Sequence, residues 1–380
     1  MKRTLCMLLL CAALLPGRGY SLRVLRDGDI PLQAPSALLM EQETGAVLYE
    51  KNADERMAPA SVTKVMTLLL ILEDLDAGKI RLDDVVTASP RAASFGGSCV
   101  YLEEGERMSV EEMLKCIAVV SANDCAVAMA EHLSGTEELF VERMNRRAEE
   151  LGLTNTHFTN CTGLFDDDEH YSSARDVALM SRELMRHSLI KSYSTIWMDS
   201  IRNGAFELVN TNKLLTRYEG CTGLKTGFTS LAMYCLSATA ERDGVSFIAV
   251  VMHAESADSR NADAAALLNY AFANFSLCSL RPETPLPVLP VEMGRQNAVS
   301  PIIQGPEKAL VPKGSGAPDY IVSLPELLSA PLREGQQLGT LTVRLGDETV
   351  AELPILCGET VERIGFWGLF RKLAAGLVGL

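Results

Sequence analysis

The stretch Ala-Pro-Ala-Ser-Val-Thr-Lys, Ala58 to Lys64, opens an apolar run that continues to Leu75 with no helix breaker before Gly78. A proline and a serine hydroxyl at its start are signals for the beginning of a helix. Ser61 and Lys64 are three residues apart, so on a helix they share one face, a turn apart. That face is predicted to be buried, because it continues through Leu68, Ile71, Leu72 and Leu75.

A lysine on a buried face needs a chemical reason. Removal from water favours the neutral amine over the ammonium and so lowers the pKa of a lysine. A neutral amine one turn from a serine hydroxyl can accept the hydroxyl proton and activate the oxygen as a nucleophile. Ser61 and Lys64 are therefore candidate catalytic residues.

Length and composition bound the remaining possibilities. The chain has 380 residues, of which 47% are hydrophobic and 22% charged, enough for two domains of ordinary globular composition. The net charge of −14 argues against nucleic acid as a partner, because phosphate binding requires a surplus of Lys and Arg. The cysteines form no CxxC pair and no zinc-spaced cluster with histidine, so neither a metal nor another cofactor is predicted.

The sequence predicts five segments in chain order. A basic start and the short apolar run Leu5–Leu15 indicate a secretory signal over residues 1–21. A lipoprotein box at Cys11 is the alternative, although a leucine rather than a small residue precedes it. An α/β domain follows over 22–279. The eight cysteines that remain after the leader are expected to be free and mostly buried.

Strand-like runs lie at both ends of this domain, with helical patterns between them. Ala37–Met40 and Ala46–Tyr49 are predicted to form a hairpin, and Leu231–Thr239 and Val245–His253 to be strands joined by a tight turn. Early and late strands are expected to share one antiparallel sheet covered by helices. The predicted helices are Val110–Val120, Cys125–Leu133, Glu137–Leu151, Ala174–His187 and Asn261–Phe275.

The C-terminal quarter differs in character. Residues 280–290 are rich in proline and predict a linker, and short β runs with Gly and Pro turns predict a small all-β domain over 291–360. In the tail, 361–380, apolar residues recur at steps of three to four and a basic pair falls off that face. This pattern favours an amphipathic helix lying in a membrane interface. A helix packed on the β domain is the alternative.

Two further stretches carry polar groups that could complete a site around the Ser61–Lys64 pair. Ser121-Ala122-Asn123 falls at a break between two helices, where a loop can project a hydroxyl and an amide into a cleft. An ordinary helix N-cap would look the same. Lys225-Thr226-Gly227 is predicted to begin a strand, with a cation and a hydroxyl suited to a carboxylate and a glycine that allows close backbone approach.

Ser-x-x-Lys, then Ser-x-Asn, then Lys-Thr-Gly resembles the ordered motif set of the penicillin-binding proteins and serine β-lactamases. Second copies of the first two motifs occur at Ser188–Lys191 and Ser259–Asn261, but only the set at 61, 121 and 225 has the family's order. More of the chain is similar to the low-molecular-mass D-alanyl-D-alanine carboxypeptidases. The matching stretches are Pro59–Lys64, Gly96–Ser98, Tyr101–Leu102, Gly105–Glu106, Ser121–Asp124, Thr159–Asn160, Gly163–Leu164, Lys225–Thr229 and Leu267–Phe275.

The resemblance implies a penicillin-binding, β-lactamase-like α/β domain and a set of catalytic roles. Ser61 would be the acyl-ester nucleophile, Lys64 its general base, and Ser121 a proton relay to the leaving D-alanine. The backbone N–H groups of Ser61 and Phe228 would form the oxyanion hole. The implied partners are a peptidoglycan stem peptide ending in D-Ala-D-Ala, β-lactams as covalent inhibitors, and the outer face of the cytoplasmic membrane.

The resemblance also implies the substrate-binding residues. Asn123 would hold the substrate amide, and Lys225 and Thr226, with Gly227 beside them, would bind the terminal carboxylate. Arg260 is similar to an arginine that the family places near this carboxylate, although its neighbours match poorly.

The chain departs from the family pattern at two points. Met233 stands where the family has glycine, and a bulkier residue there is expected to crowd the back of the strand. Cys99 replaces a polar residue in a loop near the cleft.

Two other functions are alternatives. A serine β-lactamase of class A would carry Glu-x-x-x-Asn, of which residues 140–190 hold no convincing copy; Glu142–Asn145 has the wrong spacing. A non-catalytic wall-binding or penicillin-sensing module would not need the intact motif residues.

Overall fold

The computed structural model describes residues 23–165 and 167–370 of the chain. The chain divides into a unit from Leu22 to Ser276 and a second unit that begins at Leu277. The predicted signal segment and the half of the predicted tail that follows Phe370 lie outside the described residues.

A six-stranded sheet in the order β1-β3-β2-β10-β9-β8 forms the centre of the first unit. The early and late strands share it as predicted, since β2 pairs with β10 in antiparallel register; only the β1–β3 pair is parallel. The strands are β1 (Leu25–Arg26), β2 (Ser36–Glu41), β3 (Val47–Lys51), β4 (Val85–Thr87), β5 (Arg107–Ser109), β6 (Met198–Ile201), β7 (Phe206–Val209), β8 (Cys221–Thr229), β9 (Met233–Arg242) and β10 (Val245–Ala254).

Helices cover both faces of this sheet. The helices are α1 (Lys64–Asp76), α2 (Pro90–Ala93), α3 (Val110–Val119), α4 (Asn123–Ser134), α5 (Glu137–Glu150), α6 (Ala174–Leu184), α7 (Leu189–Ser194), α8 (Leu214–Arg217) and α9 (Ala257–Asn274). On one face Phe247 of β10 packs edge-on against Phe272 of α9. On the other face Ile248 and Val250 join the main core with α1. Because both faces are buried, β10 reads as a continuous apolar run rather than an alternating one.

The Ser61 segment is helical from the predicted position, but in two parts. Residues Ala60–Thr63 form a 3-10 turn, and the α-helix begins at Lys64. The predicted burial is confirmed, because α1 is apolar on almost every side and packs inside the main core. Ser61 therefore lies in a tight turn at the mouth of a buried helix.

Three predicted boundaries are wrong for identifiable reasons. Lys225–Gly227 does not begin a strand; it lies inside β8, whose earlier residues already pair with β9 across an irregularity near Gly223. Asn123 is not a loop residue but the first residue of α4. Helix α9 begins at Ala257 rather than Asn261, because Ser256 and Ser259 form a capping box that starts it earlier.

The second unit is built of β-strands and has cores of its own. A four-stranded sheet has the order β14-β19-β18-β16, and β11 pairs with β15. The strands are β11 (Phe275–Ser279, across the boundary), β12 (Leu289–Glu292), β13 (Ala298–Val299), β14 (Pro301–Ile303), β15 (Lys308–Pro312), β16 (Asp319–Ser323), β17 (Leu328–Ser329), β18 (Gln337–Leu345) and β19 (Glu348–Cys357).

The eight cysteines after residue 21 are all free thiols, and six of them are buried. Of the tail, residues 366–370 are helical, with Phe366 and Trp367 about three-quarters exposed. Within the described residues, no helix is both long enough and apolar enough to cross a bilayer.

Candidate active site

The Ser61 hydroxyl and the Lys64 amine lie in hydrogen-bond contact. Lys64 Nζ is 3.1 Å from Ser61 Oγ, and the lysine is fully buried. Burial lowers the pKa of Lys64 to about 7, although nearby Cys161, Cys99 and Asp124 oppose the shift. Much of the amine is therefore neutral at neutral pH and able to accept a proton.

Two further acceptors hold the amine. Lys64 Nζ lies 2.6 Å from Asn123 Oδ1 and 2.8 Å from the Thr162 carbonyl oxygen. A neutral amine has two N–H bonds and one lone pair. When the two N–H groups donate to these oxygens, the lone pair faces the third neighbour, the Ser61 hydroxyl. The surroundings thus orient Lys64 as a base toward Ser61.

Ser121 lies in the break between α3 and α4 with a φ of +64°. This left-handed backbone costs a non-glycine residue about 1–3 kcal/mol and ends the helix that precedes it. Its Oγ is buried and has no hydrogen-bond partner among the described residues. The Ser121 hydroxyl is thus free to serve a bound group, two residues before Asn123.

Asn123 and Asp124 tie this break to the loop of residues 96–102. Asn123 Nδ2 donates to the Gly96 carbonyl over 2.8 Å, which leaves its second hydrogen free. The buried Asp124 carboxylate accepts the backbone N–H groups of Val100 and Leu102. Cys99, in the middle of this loop, donates its thiol to local carbonyl oxygens and is partly buried. Two segments that the sequence matched separately therefore form one wall.

The Lys225 amine is buried on the edge strand β8. Its Nζ donates to the Thr226 carbonyl oxygen over 2.9 Å, and within the described chain it forms no ion pair. Burial is the main cause that lowers the Lys225 pKa, and the cations of Lys64 and Arg260 add to it. A carboxylate placed there would meet the Lys225 amine and the Thr226 hydroxyl, and no acidic side chain of the described residues pairs with this lysine.

Arg260 lies near the start of α9 and is 5% exposed. Its Nε donates to Asn261 Oδ1 over 3.2 Å, and its Nη1 lies 3.4 Å from the Cys235 carbonyl oxygen. Cys235 pairs with Gly227 of β8, two residues after Lys225. The structure thus places this candidate against β9 at the level of the Lys225–Gly227 segment, despite its poorly matching neighbours.

Gly227 packs directly on the Ser61 turn. A Cβ on Gly227 would lie 2.8 Å from the Pro59 carbonyl oxygen and 3.1 Å from the Ser61 nitrogen, so no side chain fits. The next residue, Phe228, is 55% exposed and stacks on Tyr234 at 4.4 Å between ring centroids. Among the described residues, the outer edge of β8 has no strand partner, and its backbone groups can pair with an extended peptide.

The second copies of the motifs have structural roles. Lys191 is partly exposed and pairs with Glu241, 2.5 Å away, and Ser188 is the residue before the short helix α7. Ser259 belongs to the capping box of α9. The order of the motifs along the chain and the burial of the lysine therefore both indicate Ser61 and Lys64 as the catalytic pair.

The departure from the family pattern at Met233 affects the backbone. Its φ is +53°, at the start of β9, where glycine would be unstrained. The residue is partly exposed rather than pressed behind the strand. Backbone strain, rather than the expected crowding, is therefore the consequence of this substitution.

Sequence reasoning gave no role to several residues that the structure brings to the site. Thr162 supplies the carbonyl beside Lys64, and Asn160 Oδ1 accepts the N–H groups of Thr162 and Gly163. Thr211 Oγ1 lies 2.7 Å from Thr226 Oγ1. Among the described residues, no His, Cys, Asp and Glu side chains are grouped so as to hold a metal ion.

Comparisons with known proteins agree on one family. The profile of the D-alanyl-D-alanine carboxypeptidases matches residues 25–256, and that of the penicillin-binding protein 5 C-terminal domain matches residues 287–363. The chain is 44% identical to D-alanyl-D-alanine carboxypeptidase DacF of Bacillus subtilis over 90% of its length and 89% of the relative's.

Solved structures extend this similarity to the fold. Penicillin-binding protein 5 from Haemophilus influenzae superposes with a TM-score of 0.75 at 31% identity, covering 88% of this chain and 98% of that one. Penicillin-binding protein D2 from Listeria monocytogenes, in an ampicillin-bound form, gives 0.58 at 32% identity over 63% and 98%. The resemblance found in three motifs is confirmed: the chain belongs to the D-alanyl-D-alanine carboxypeptidase family.

Proposed function

We propose that the protein is a serine-type D-Ala-D-Ala carboxypeptidase, which removes the terminal D-alanine from peptidoglycan stem peptides through an acyl-ester on Ser61. The observation that carries this proposal is the buried Lys64 amine, held by two acceptors and 3.1 Å from the Ser61 hydroxyl. Membership of the family supports it. The chemistry uses protein groups and water alone.

In the acylation step, Lys64 takes the Ser61 proton while Ser61 Oγ bonds to the carbonyl carbon of the penultimate D-alanine. The backbone N–H groups of Ser61 and Phe228 stabilise the oxyanion. The C–N bond to the terminal D-alanine then breaks. The Ser121 hydroxyl passes a proton to the leaving amine and takes up the proton that Lys64 had accepted, so Lys64 is neutral again before deacylation. The Ser121 Oγ, which is buried and has no hydrogen-bond partner in the described part of the chain, supports this role.

In the deacylation step, water attacks the ester carbon and gives a proton to Lys64. The C–O bond to Ser61 breaks, Ser61 Oγ recovers a proton, and the shortened peptide leaves with a new carboxylate. A β-lactam acylates the same oxygen and is released slowly, which makes it an inhibitor.

The positions of four groups support a role for each in binding the substrate. The substrate lies extended along the outer edge of β8, with its terminal carboxylate against Lys225, Thr226 and Arg260. Asn123 offers its second Nδ2 hydrogen to the substrate amide carbonyl. Gly227 is needed because its backbone contacts the Ser61 turn.

A β-lactamase function has less support. Asn145 is a helical residue of α5 whose amide exchanges two hydrogen bonds, both of 2.8 Å, with the backbone of Phe158. Its polar groups are therefore committed to the fold and do not serve a hydrolytic water.

A direct test measures D-alanine release from a peptide ending in D-Ala-D-Ala, with an L-Ala-L-Ala peptide as the matched control. In parallel, a fluorescent penicillin is added and the labelled residue is mapped by mass spectrometry. We expect release from the first peptide alone and a stable label on Ser61. Fast penicillin turnover without release of D-alanine would indicate a lactamase instead, and the absence of both would indicate a non-catalytic module.

We further propose that residues 1–21 direct export, that 280–290 link the catalytic domain of 22–279 to the β domain of 291–360, and that 361–380 anchor the enzyme at the outer face of the membrane. The exposed aromatic residues Phe366, Trp367 and Phe370 support the last point, since such residues favour the interfacial region of a bilayer.

The anchor is testable with lipid vesicles. The mature chain should sediment with anionic vesicles, while a chain ending at Glu362 should stay in the supernatant and keep its rate of D-alanine release. A full-length Trp367→Ser variant, which keeps the tail and its charges, should bind more weakly than the unaltered chain. Equal sedimentation of all three would contradict the anchor.

A further inference from the structure

His170 joins two segments of the active site and has no part in the chemistry described above. The side chain is 3% exposed. Its Nε2 lies 2.7 Å from Thr63 Oγ1, in the turn that carries Ser61, and its Nδ1 lies 3.1 Å from the backbone nitrogen of Thr159. The ring therefore bridges the Ser61 turn and the segment of residues 159–163.

The hydrogen bonds define the protonation state of the ring. A backbone N–H only donates, so Nδ1 must accept from Thr159 and carries no proton. The ring proton is then on Nε2, which donates to the Thr63 hydroxyl. A doubly protonated ring would place two donors face to face at Thr159. The bridge thus requires the neutral imidazole.

The surroundings favour this neutral form. Burial lowers the pKa of His170 to about 4, helped by the positive charge of Lys64 from α1 and by His157, while Asp167 opposes the shift. The edge of the ring packs against Phe158 at 5.8 Å between centroids. The bridge is therefore intact throughout the neutral pH range.

The segment held by His170 carries the Thr162 carbonyl that orients Lys64. Its fit against the Ser61 turn is close, since a Cβ on Gly163 would lie 1.9 Å from the Ala60 carbonyl oxygen. The Cys161 carbonyl accepts from Thr67 Oγ1 of α1. Gly163 lies at one end of this segment. His170 fixes the other end at Thr159, three residues before Thr162.

We propose that His170 is a positioning residue. Its neutral imidazole connects Thr159 to Thr63 and so holds the Thr162 carbonyl within hydrogen-bond distance of Lys64. This contact directs the Lys64 lone pair toward Ser61. This inference rests on the proposed function only through Lys64 and Ser61. Without the bridge, the segment shifts, the amine loses one acceptor, and its lone pair is no longer confined to the Ser61 direction.

The expected effect is on the rate of acylation at each site rather than on substrate binding, because Lys225 and Thr226 lie on a different element. A misplacement of about 1 Å at a reacting group can cost roughly 10²-fold in rate. We therefore expect His170→Phe to lower kcat and the penicillin acylation rate per labelled site by about 10- to 100-fold, with KM little changed.

Two conservative variants separate positioning from loss of folding. Asn at position 170 places an amide oxygen near the Nδ1 position and can accept from Thr159, whereas Gln places an N–H donor near Nε2 and can reach Thr63. Each keeps one half of the bridge, so H170N and H170Q should lie between the wild type and H170F. Thr63→Val removes the other partner with little change of volume and should resemble H170F.

The experiment titrates active sites with fluorescent penicillin, measures acylation per labelled site, and records Tm for each variant. His157→Asn is the matched control. The His157 side chain hydrogen-bonds the Glu169 carbonyl oxygen and, within the described residues, forms no hydrogen bond with Thr63 or Thr159, so this variant should leave the rate per site unchanged. Unchanged rates per site in H170F and T63V, with only fewer sites or a lower Tm, would overturn the proposal. Failure of the wild type to be labelled would instead refute the proposed function.

Discussion

Replacing Ser61 by alanine is expected to abolish both D-alanine release and penicillin labelling, with a loss of roughly 10⁴- to 10⁶-fold in kcat. The hydroxyl is the atom that forms the ester, and no neighbouring group can replace it in contact with Lys64. The fold should be unaffected, because the side chain is only partly buried and α1 begins at Lys64. D-alanine release and Tm are measured on the same preparation.

Ser188→Ala is the matched control for this loss. Ser188 also precedes a lysine by three residues, but that lysine pairs with Glu241 at a partly exposed position. We expect wild-type rates from this variant. Residual labelling of Ser61→Ala above the level of a heat-denatured sample would show that the nucleophile lies elsewhere.

Replacing Lys64 by methionine is expected to lower the acylation rate about 10²- to 10⁴-fold, the usual contribution of a general base. Methionine keeps much of the buried volume but cannot accept the Ser61 proton. In the wild type, the burial that lowers the Lys64 pKa to about 7 sets the acid limb of the pH profile. The neutral amine is the active form, so the rate should rise with pH through about 7 and fall about tenfold for each unit below it.

The pH profile distinguishes loss of the base from a general disturbance. The acid limb near pH 7 should be absent from the residual activity of Lys64→Met. Lys191→Met alters the lysine of the second Ser-x-x-Lys copy and should keep both the wild-type rate and the limb. A wild-type profile that stays flat from pH 5 to 8 would contradict the assignment of Lys64 as the base.

Most of the candidate site can be predicted from the sequence, because local sequence patterns mark the positions of its main residues. Ser61 and Lys64 are set together by helical spacing, and the break at Ser121 is visible where an apolar helix pattern stops. The paired strands are also predictable, since Asp243 and Gly244 supply the tight turn between β9 and β10 with positive φ at both positions.

The remaining features depend on contacts between distant segments. The Thr162 oxygen beside Lys64 belongs to the backbone, which every residue type provides, so no sequence pattern marks it. His170 reads as a polar residue after an acidic loop, and only folding shows its two partners. Strand β8 begins earlier than the sequence predicts. Gly220 and Gly223 near its start resemble a turn, but pairing with β9 outweighs the low strand propensity of glycine.

The Ser61 turn is tightly packed on both sides. This packing determines whether destabilisation lowers the fraction of active molecules or the turnover rate of each active molecule. Gly163 approaches the turn from one side and Gly227 from the other, and neither position has room for a single methyl group. A protein held this closely has little freedom to work in a loosened form. Mild heat or distant core damage should therefore remove molecules from the active population, while those that remain turn over at their full rate.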